Sequence, residues 1–520
     1  MGLCNNSLYV PPLLQATSLL SVCRGAMLVE GAVFAVGLTL LIAVVMRKKQ
    51  DANLPPGPPP LPLLGNMLDI WGSMPNIHLG FSKLAKHYGD IYTLYLQGNR
   101  VVVVGSAAIA REALVLRKDD FSGRPYSFIG DFFTRGCKDL AMADLSPTLK
   151  WQRKLVHTAL RLYSPRLEGQ VCEEVDGLIK RLKAANGNPI DPKHDLFLTI
   201  LNVICNMVFG SCYSMNDPEF LQVVHYNQLG FRLLSPVSLV NIFPWLLKLP
   251  TQQARDFYYV RDVQGKILDQ KFSQHKATFN SSNIRDFTDA LLKARLEAVQ
   301  ENEAVHHMIT EDHLIMTIAD VFSAGAETMT TTLRWFIACL VNFPDVQKKI
   351  QNELDCVVGR HRLPTLEDRE RLDYLEAVIT EVHRYCTVTH LSLPHKATCD
   401  SHLHGYSIPK DTVIMFNVWQ MHHDERYWDQ PYRFDPTRFL DAKGKLVDVA
   451  GIKSFLPFSA GRRVCSGESL AKKELFLVTS RLLHQLTFTS PPGYPVPDLE
   501  GEVGMNHFPR PFEVCVNERY

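Results

Sequence analysis

The stretch Phe458-Ser459-Ala460-Gly461-Arg462-Arg463-Val464-Cys465-Ser466-Gly467 runs directly into Glu468-Ser469-Leu470-Ala471-Lys472-Lys473-Glu474-Leu475-Phe476, whose apolar residues recur at three- and four-residue intervals. One cysteine therefore lies between two glycines, beside two arginines and just ahead of a predicted helix. Glycine lets the backbone approach a flat ligand closely. Amides at a helix start and neighbouring guanidiniums both favour negative charge, so a thiol here is poised to become a thiolate and bind a metal. The plain alternative is a buried structural cysteine, since free cysteine commonly packs as a small hydrophobe.

Upstream, Thr310 to Asn342 reads as one long helix, apolar on most faces, with Thr310-Glu311-Asp312 as its start. Its middle carries Ala324-Gly325-Ala326-Glu327-Thr328-Met329. An acid inside an apolar helix is costly unless partnered. A mid-helix glycine costs about 1 kcal/mol, and its missing side chain is expected to open room beside the helix. Further on, Glu381-Val382-His383-Arg384 puts an acid and a base on one helical face, and Pro436-Thr437-Arg438-Phe439 offers a second arginine. Alone, an i,i+3 pair on a solvated helix contributes only a few tenths of a kcal/mol.

Together these segments resemble the cytochrome P450 monooxygenases. Phe458, Gly461, Arg463, Cys465 and Gly467 match the signature F-x-x-G-x-R-x-C-x-G, and the long helix matches A-G-x-E-T. The resemblance implies haem b with Cys465 as axial thiolate ligand of iron, Arg463 on a propionate, and Gly461 and Gly467 at close approach to the porphyrin beside Phe458. It places Ala324 and Gly325 in the segment over the haem, and makes Thr328 and Glu327 the residues that deliver protons as dioxygen is reduced. Met329 departs from the Thr or Ser usual in the family at that position. Glu381, Arg384 and Arg438 are implied to form a buried charge network that holds the haem-binding loop. Arg124, within Phe121-Ser122-Gly123-Arg124-Pro125, and Arg153 are implied propionate partners; the family's W-x-x-x-R is incomplete here, with Leu149 where the tryptophan is expected and Trp151 out of register.

The whole-chain numbers agree with this reading. At 520 residues and 46% hydrophobic the chain can bury a large core, and a net charge of +1 gives no global attraction to nucleic acid. The 12 cysteines are scattered without a C-x-x-C, which argues against a zinc site or a disulfide framework. His306-His307 and His422-His423 are adjacent pairs whose side chains diverge, and no carboxylate or cysteine completes a metal set.

Along the chain, Gly31 to Met46 is an uncharged apolar run closed by Arg47-Lys48-Lys49. Extended back to Gly25 it is long enough for a membrane helix crossing about 30 Å of hydrocarbon, and the following cations predict a lumenal N-terminus. Asn5-Asn6-Ser7 would then be a lumenal glycan acceptor. Leu54-Pro55-Pro56-Gly57-Pro58-Pro59-Pro60 reads as a stiff polyproline hinge. The expected organisation is an anchor region over 1–50, a hinge over 51–62 and a catalytic domain over 63–520. Strands flank Gln97-Gly98-Asn99 between Ile91 and Val104, and return at Thr412 to Asn417 and in the C-terminal tail. Helical periodicity covers Pro165 to Ala185, Leu196 to Phe209, Tyr258 to His275, Asp286 to Gln300 and Val346 to Val358. The predicted fold class is mainly α, a large helical domain with a small β-rich lobe and an N-terminal transmembrane helix, as the resemblance also implies.

The resemblance further implies insertion of one O2-derived oxygen atom into a C–H bond, with NADPH electrons arriving through a partner reductase, because no flavin or nicotinamide fingerprint is present. The anchor points to the endoplasmic-reticulum membrane and its NADPH-cytochrome P450 reductase, with cytochrome b5 as a second candidate donor. Lys348, Lys349, Lys443, Lys445, Lys453, Arg462, Lys472 and Lys473 are candidates for a basic docking face. Phe121 to Pro125, Ile242 to Leu246, Thr310 to His313 and Leu393 to Ala397 resemble the steroid 17α-hydroxylase branch, so the expected substrate is steroid-like, with Asn227 as the amide for the A-ring oxygen. Steroid 21-hydroxylation and oxidation of xenobiotics or fatty acids are the alternatives within the family. A haem-dependent isomerase or dehydratase, or a non-catalytic haem protein, would be of another class.

Overall fold

The structure is a computed structural model describing residue 37 and residues 53–62, 64–234 and 238–520. Apart from residue 37, the apolar run 31–46, its flanking cations and Asn5 lie outside the described residues. Among the described residues no helix is long and apolar enough to cross a membrane.

The small lobe starts from helix α1 (Ile77–Tyr88) and the hairpin of β1 (Ile91–Leu96) and β2 (Asn99–Val104), paired from Ile91 opposite Val104 to Leu96 opposite Asn99. Gln97 and Gly98 turn the hairpin with φ of 53° and 78°, the positive values that a two-residue turn needs to match strand twist. Far along the chain β3 (His395–Lys396), the hairpin β4 (Ser401–Leu403) and β5 (Tyr406–Ile408), and β6 (Val413–Phe416) return to this lobe. The order β1-β2-β6-β3 joins them, β6 running parallel to β2. Val102, Val104, Ile414 and Phe416 bury one face against a π-helical turn over Glu112–Leu116.

The helical body comprises α2 (Pro147–Tyr163), α3 (Leu167–Lys183), α4 (Lys193–Phe209), α5 (Pro218–Leu233), α6 (Gln252–Ala277), α7 (Phe287–Glu301), α8 (Glu311–Asn342), α9 (Pro344–Val357), α10 (Asp373–Cys386) and α11 (Glu468–Gln485). The predicted strand-flanked hairpin and the helices predicted between residues 165 and 358 are present. Where bounds move, capping explains it: α6 begins six residues before Tyr258 because Thr251 accepts the Ala254 amide at 3.1 Å, although the first turn is polar and lacks the apolar period.

At 32 residues α8 is the central element. Thr310 and His313 form a reciprocal cap at its start, and it is buried over nearly its whole second half. Such all-round burial marks a helix enclosed by others. α4 is also apolar on every side and lies directly along α8. A Cβ added to Gly325 would come within 2.7 Å of Ile204 Cδ1, so the room that this glycine was expected to open is filled by α4. Gly325 is thus a helix-packing glycine.

Candidate functional site

The cysteine loop is a tight return in which the Cys465 amide donates to the Phe458 carbonyl at 3.0 Å. Ser459 and Gly461 take φ of 62° and 72° to close it. A Cβ on Gly461 would overlap the Leu114 carbonyl of the π-helical turn. The close approach that the structure shows at Gly461 is to protein backbone. At Gly467 the nearest neighbour of an added Cβ is Cys465 Sγ, at 3.9 Å. The Phe458 ring packs edge-on to His383, centroids 5.4 Å apart, and under the Lys472 ammonium.

Cys465 is surrounded by protein on most sides, yet its side chain is solvent-accessible. Burial pushes its thiol up, while the amides of Gly467 and Glu468 and the Arg153 guanidinium pull it down. Of the two adjacent arginines, Arg462 pairs with Asp119 at the surface. The thiol environment alone leaves the proton on sulfur; a bound metal cation removes it outright.

Arg463 is buried and donates to three carbonyls: Nε to Ser122 at 2.8 Å, Nη1 to Leu140 at 3.3 Å and Nη2 to Ala143 at 2.7 Å. Arg124 is equally buried, with Nε on Ala141 at 2.8 Å and Nη1 on Pro394 at 2.8 Å. Arg153, from α2, donates Nη2 to the Val464 carbonyl at 2.7 Å, next to the cysteine. Among the described residues none of the three forms an ion pair. Burial, then mutual repulsion, pushes Arg124 and Arg463 well below the usual guanidinium range, yet such groups stay charged in proteins.

The loop 138–144 is held from its other side. Asp320 of α8 accepts the Leu140 and Ala141 amides at 2.6 and 3.3 Å, and Asp139 accepts the Met142 amide at 2.8 Å. Its amides thus face two carboxyls and its carbonyls face two guanidiniums. Burial pushes the carboxyls of Asp139 and Asp320 up, and Asp139 adds to the rise at Asp320, so they offset the arginine charge only in part. Three guanidiniums beside an accessible cysteine and short of anions suit a group with two carboxylates and an iron, and the residues present therefore fit haem. Leu149, where the family has tryptophan, is core, and Trp151 stacks with Lys154 at 4.6 Å, leaving Arg153 as the cation from α2.

The E-x-x-R pair is closed on itself. Arg384 grips Glu381 with Nε at 2.6 Å and Nη2 at 2.7 Å, both side chains being 0% exposed. Its Nη1 goes to the His422 and Pro431 carbonyls, each at 2.8 Å. Arg438 reaches Glu381 at 3.3 Å, and the Asp435 amide adds a bond at 2.8 Å. His422, read from sequence only as one of an adjacent pair, is a joint here: Nδ1 meets Thr387 Oγ1 at 3.0 Å and Nε2 accepts the Leu456 amide at 3.0 Å. It carries the order of α10 into the cysteine loop, and nothing local in sequence signals this.

On α8, Ala324 is exposed although Phe322 and Ala326 on either side are buried. Thr328 Oγ1 donates to the Ala324 carbonyl at 2.8 Å. Thr330 and Thr332 bond back to Ala326 and Thr328 at 2.7 and 2.8 Å, a habit that bends helices slightly. Met329 is core. Glu327 is 8% exposed, and Asn227 Nδ2 of α5 donates to its Oε2 at 2.8 Å. Two residues expected in different roles, proton delivery and substrate contact, are thus directly bonded. Burial pushes the Glu327 carboxyl up, against the pull of Lys193, Arg334 and Asn227.

The profile of the family described as Cytochrome P450 matches residues 55–516. The chain belongs to the cytochrome P450 family. It is 39% identical over 483 residues to a steroid 17-alpha-hydroxylase/17,20 lyase of Squalus acanthias, covering 92% of this chain and 94% of the relative. To the protein of that name in Gallus gallus it is 40% identical, covering 91% and 95%. Among solved structures it is similar to a zebra fish cytochrome P450 described with progesterone, at TM-score 0.76 and 39% identity over 85% of this chain and 99% of the other.

Proposed function

We propose that this chain is a haem-thiolate monooxygenase that inserts one atom of dioxygen into a steroid C–H bond, the other leaving as water, by 17α-hydroxylation of a progesterone- or pregnenolone-like substrate. The observation that carries it is the meeting of an accessible Cys465 with two buried guanidiniums, Arg124 and Arg463, and the half-buried Arg153, all without an ion-pair partner among the described residues, in a chain whose relatives bear steroid hydroxylase names. Haem iron, when bound, supplies dioxygen activation, which a thiolate ligand steers toward O–O cleavage.

The chain's own residues do the rest. Cys465 provides the sulfur ligand. Arg463, Arg124 and Arg153 hold the carboxylates of the haem and fix its orientation. Glu327 would hold a proton at its carboxyl, and the Thr328 hydroxyl, once it leaves the Ala324 carbonyl, would pass a proton on from α8 toward the haem side. The Asn227 oxygen and its second N–H are free of Glu327 to meet the A-ring oxygen of a steroid.

The run 31–46 serves as an endoplasmic-reticulum anchor joined through the hinge 51–62 to the cytosolic domain 63–520, and NADPH electrons come from the membrane reductase, with cytochrome b5 as a further donor. The basic face for such a partner is narrower than the sequence suggests, since Arg462, Lys445 and Lys472 are engaged by Asp119, Asp373 and Glu468.

Incubating the purified full-length protein with reductase, NADPH and progesterone, and identifying the product by mass spectrometry, tests the proposal. Coupled formation of a 17α-hydroxylated steroid is expected; a 21-hydroxylated product changes the carbon, and consumption of no NADPH with any steroid rejects the reaction. A reduced, carbon-monoxide-bound spectrum typical of histidine ligation would remove Cys465 from its role.

A further inference from the structure

The bond between Asn227 and Glu327 links helices that are a hundred residues apart in sequence. Neighbouring side chains on a helix point about 100° apart, so Glu327 and Thr328 leave α8 in different directions. Thr328 turns back onto the Ala324 carbonyl while Glu327 reaches toward α5. The carboxyl is thereby placed among groups that communicate with solvent. From the start of α4 comes the half-buried Lys193, with the exposed Asp191 just ahead of it. Arg232 of α5 acts on Lys193 in turn. From α8 itself comes Arg334, seven residues on and therefore on nearly the same face as Glu327. Arg334 is 5% exposed, has an unpartnered Nε, and feels Asp191 and Glu502.

We propose that Asn227 is a positioning residue for Glu327, holding its carboxylate on the solvent-communicating side of α8 between proton deliveries, whatever contact the same amide makes with substrate. In each delivery the carboxyl proton passes to the Thr328 hydroxyl oxygen as the Thr328 O–H proton moves on, and the carboxylate returns to the Asn227 N–H to be reprotonated from solvent. No other atoms are exchanged. The inference rests on the reading of Glu327 as proton donor.

Asn227→Leu and Asn227→Gln variants of the full-length holoenzyme, assayed with reductase and progesterone across pH, separate positioning from substrate contact. A substrate contact alone moves KM. Positioning moves kcat: Asn227→Leu is expected to lower it by about tenfold, a part of the typical general acid–base contribution of ~10²–10⁴. It should also shift the alkaline limb of the kcat profile upward, since a lost donor to the charged form favours protonation. Asn227→Gln, which keeps the donor, should recover part of kcat. Infrared difference spectra without turnover give a separate readout: a protonated-carboxyl band should persist to higher pH in Asn227→Leu and vanish in the double variant with Glu327→Gln. A change in KM alone, with kcat, the alkaline limb and the carboxyl band unmoved, overturns the inference. If Glu327→Gln itself leaves kcat and the limb unchanged, the reading of Glu327 fails first.

Discussion

Two buried clusters of charge lie on either side of the cysteine loop and are built on opposite plans. Around α10, Arg384 and Arg438 share Glu381, and the donors that remain find the carbonyls of His422, Asp429, Pro431 and Arg433. Each guanidinium has a direct carboxylate partner, and the hydrogen bonds close within the protein. Around residues 138–144, Arg463 and Arg124 also find carbonyls, but no carboxylate faces them directly. A closed cluster holds a loop in place. An open one, whose buried charge Asp139 and Asp144 offset only in part and without an ion pair, is a receptor for an anion. Hydrogen-bond satisfaction alone would not separate them, because both are well supplied with carbonyls; only the missing countercharge does.

Removing one partner from the closed cluster should have the largest effect. Glu381→Ala strands two buried guanidiniums at a cost of roughly 3–5 kcal/mol, so expression should yield little haem-containing protein, and denaturant unfolding of what is recovered should show the loss. Normal haem content and stability would show that the cluster is not structural. Arg463→Met should behave differently: transfer of haem to an acceptor globin should quicken by tenfold or more, given ~1.5–3 kcal/mol per charged hydrogen bond. The haem-stripped protein should meanwhile lose much less stability than Glu381→Ala does. If both variants unfold alike, the distinction between open and closed clusters falls.

Glu474 sharpens the comparison, being a buried acid with no cation at all. It is 2% exposed on α11 with Oε1 unpartnered, and burial pushes its carboxyl up to about 8. A carboxyl raised in the folded state contributes stability that is present below its unfolded value and is lost as pH rises through the folded one. Urea midpoints should therefore fall between about pH 5 and 8, and Glu474→Gln should flatten that slope. The smallest effect belongs to the surface: Lys472→Ala breaks an i,i+4 pair with Glu468 and should change the unfolding free energy measured in urea by about 0.3–0.5 kcal/mol.

What could be read from sequence was what is contiguous in it. Cys465 with its flanking glycines, the long apolar run around Glu327 and Thr328, and Glu381 three residues before Arg384 each carry their pattern within one turn or loop. The parts that sequence leaves open depend on distant chain. Gly325 faces Ile204 and Gly461 faces Leu114; either glycine reads equally well as room for a ligand until its neighbour is known. Asn227 was singled out only through the resemblance, and its bond to Glu327 depends on how α5 lies over α8. The carbonyl cradle of Arg124 and Arg463 is backbone, which no side-chain pattern encodes.

The contact between Gly461 and the Leu114 carbonyl has a practical corollary for recombination. Leu114 belongs to the packing of the small lobe, with Phe121, Phe416 and Leu456, so the wall against which the cysteine loop closes is made by chain some 350 residues earlier. Chimaeras between relatives should inherit 112–116 and 458–467 from the same parent, and a crossover that mixes them should misplace the sulfur even when every signature residue is kept.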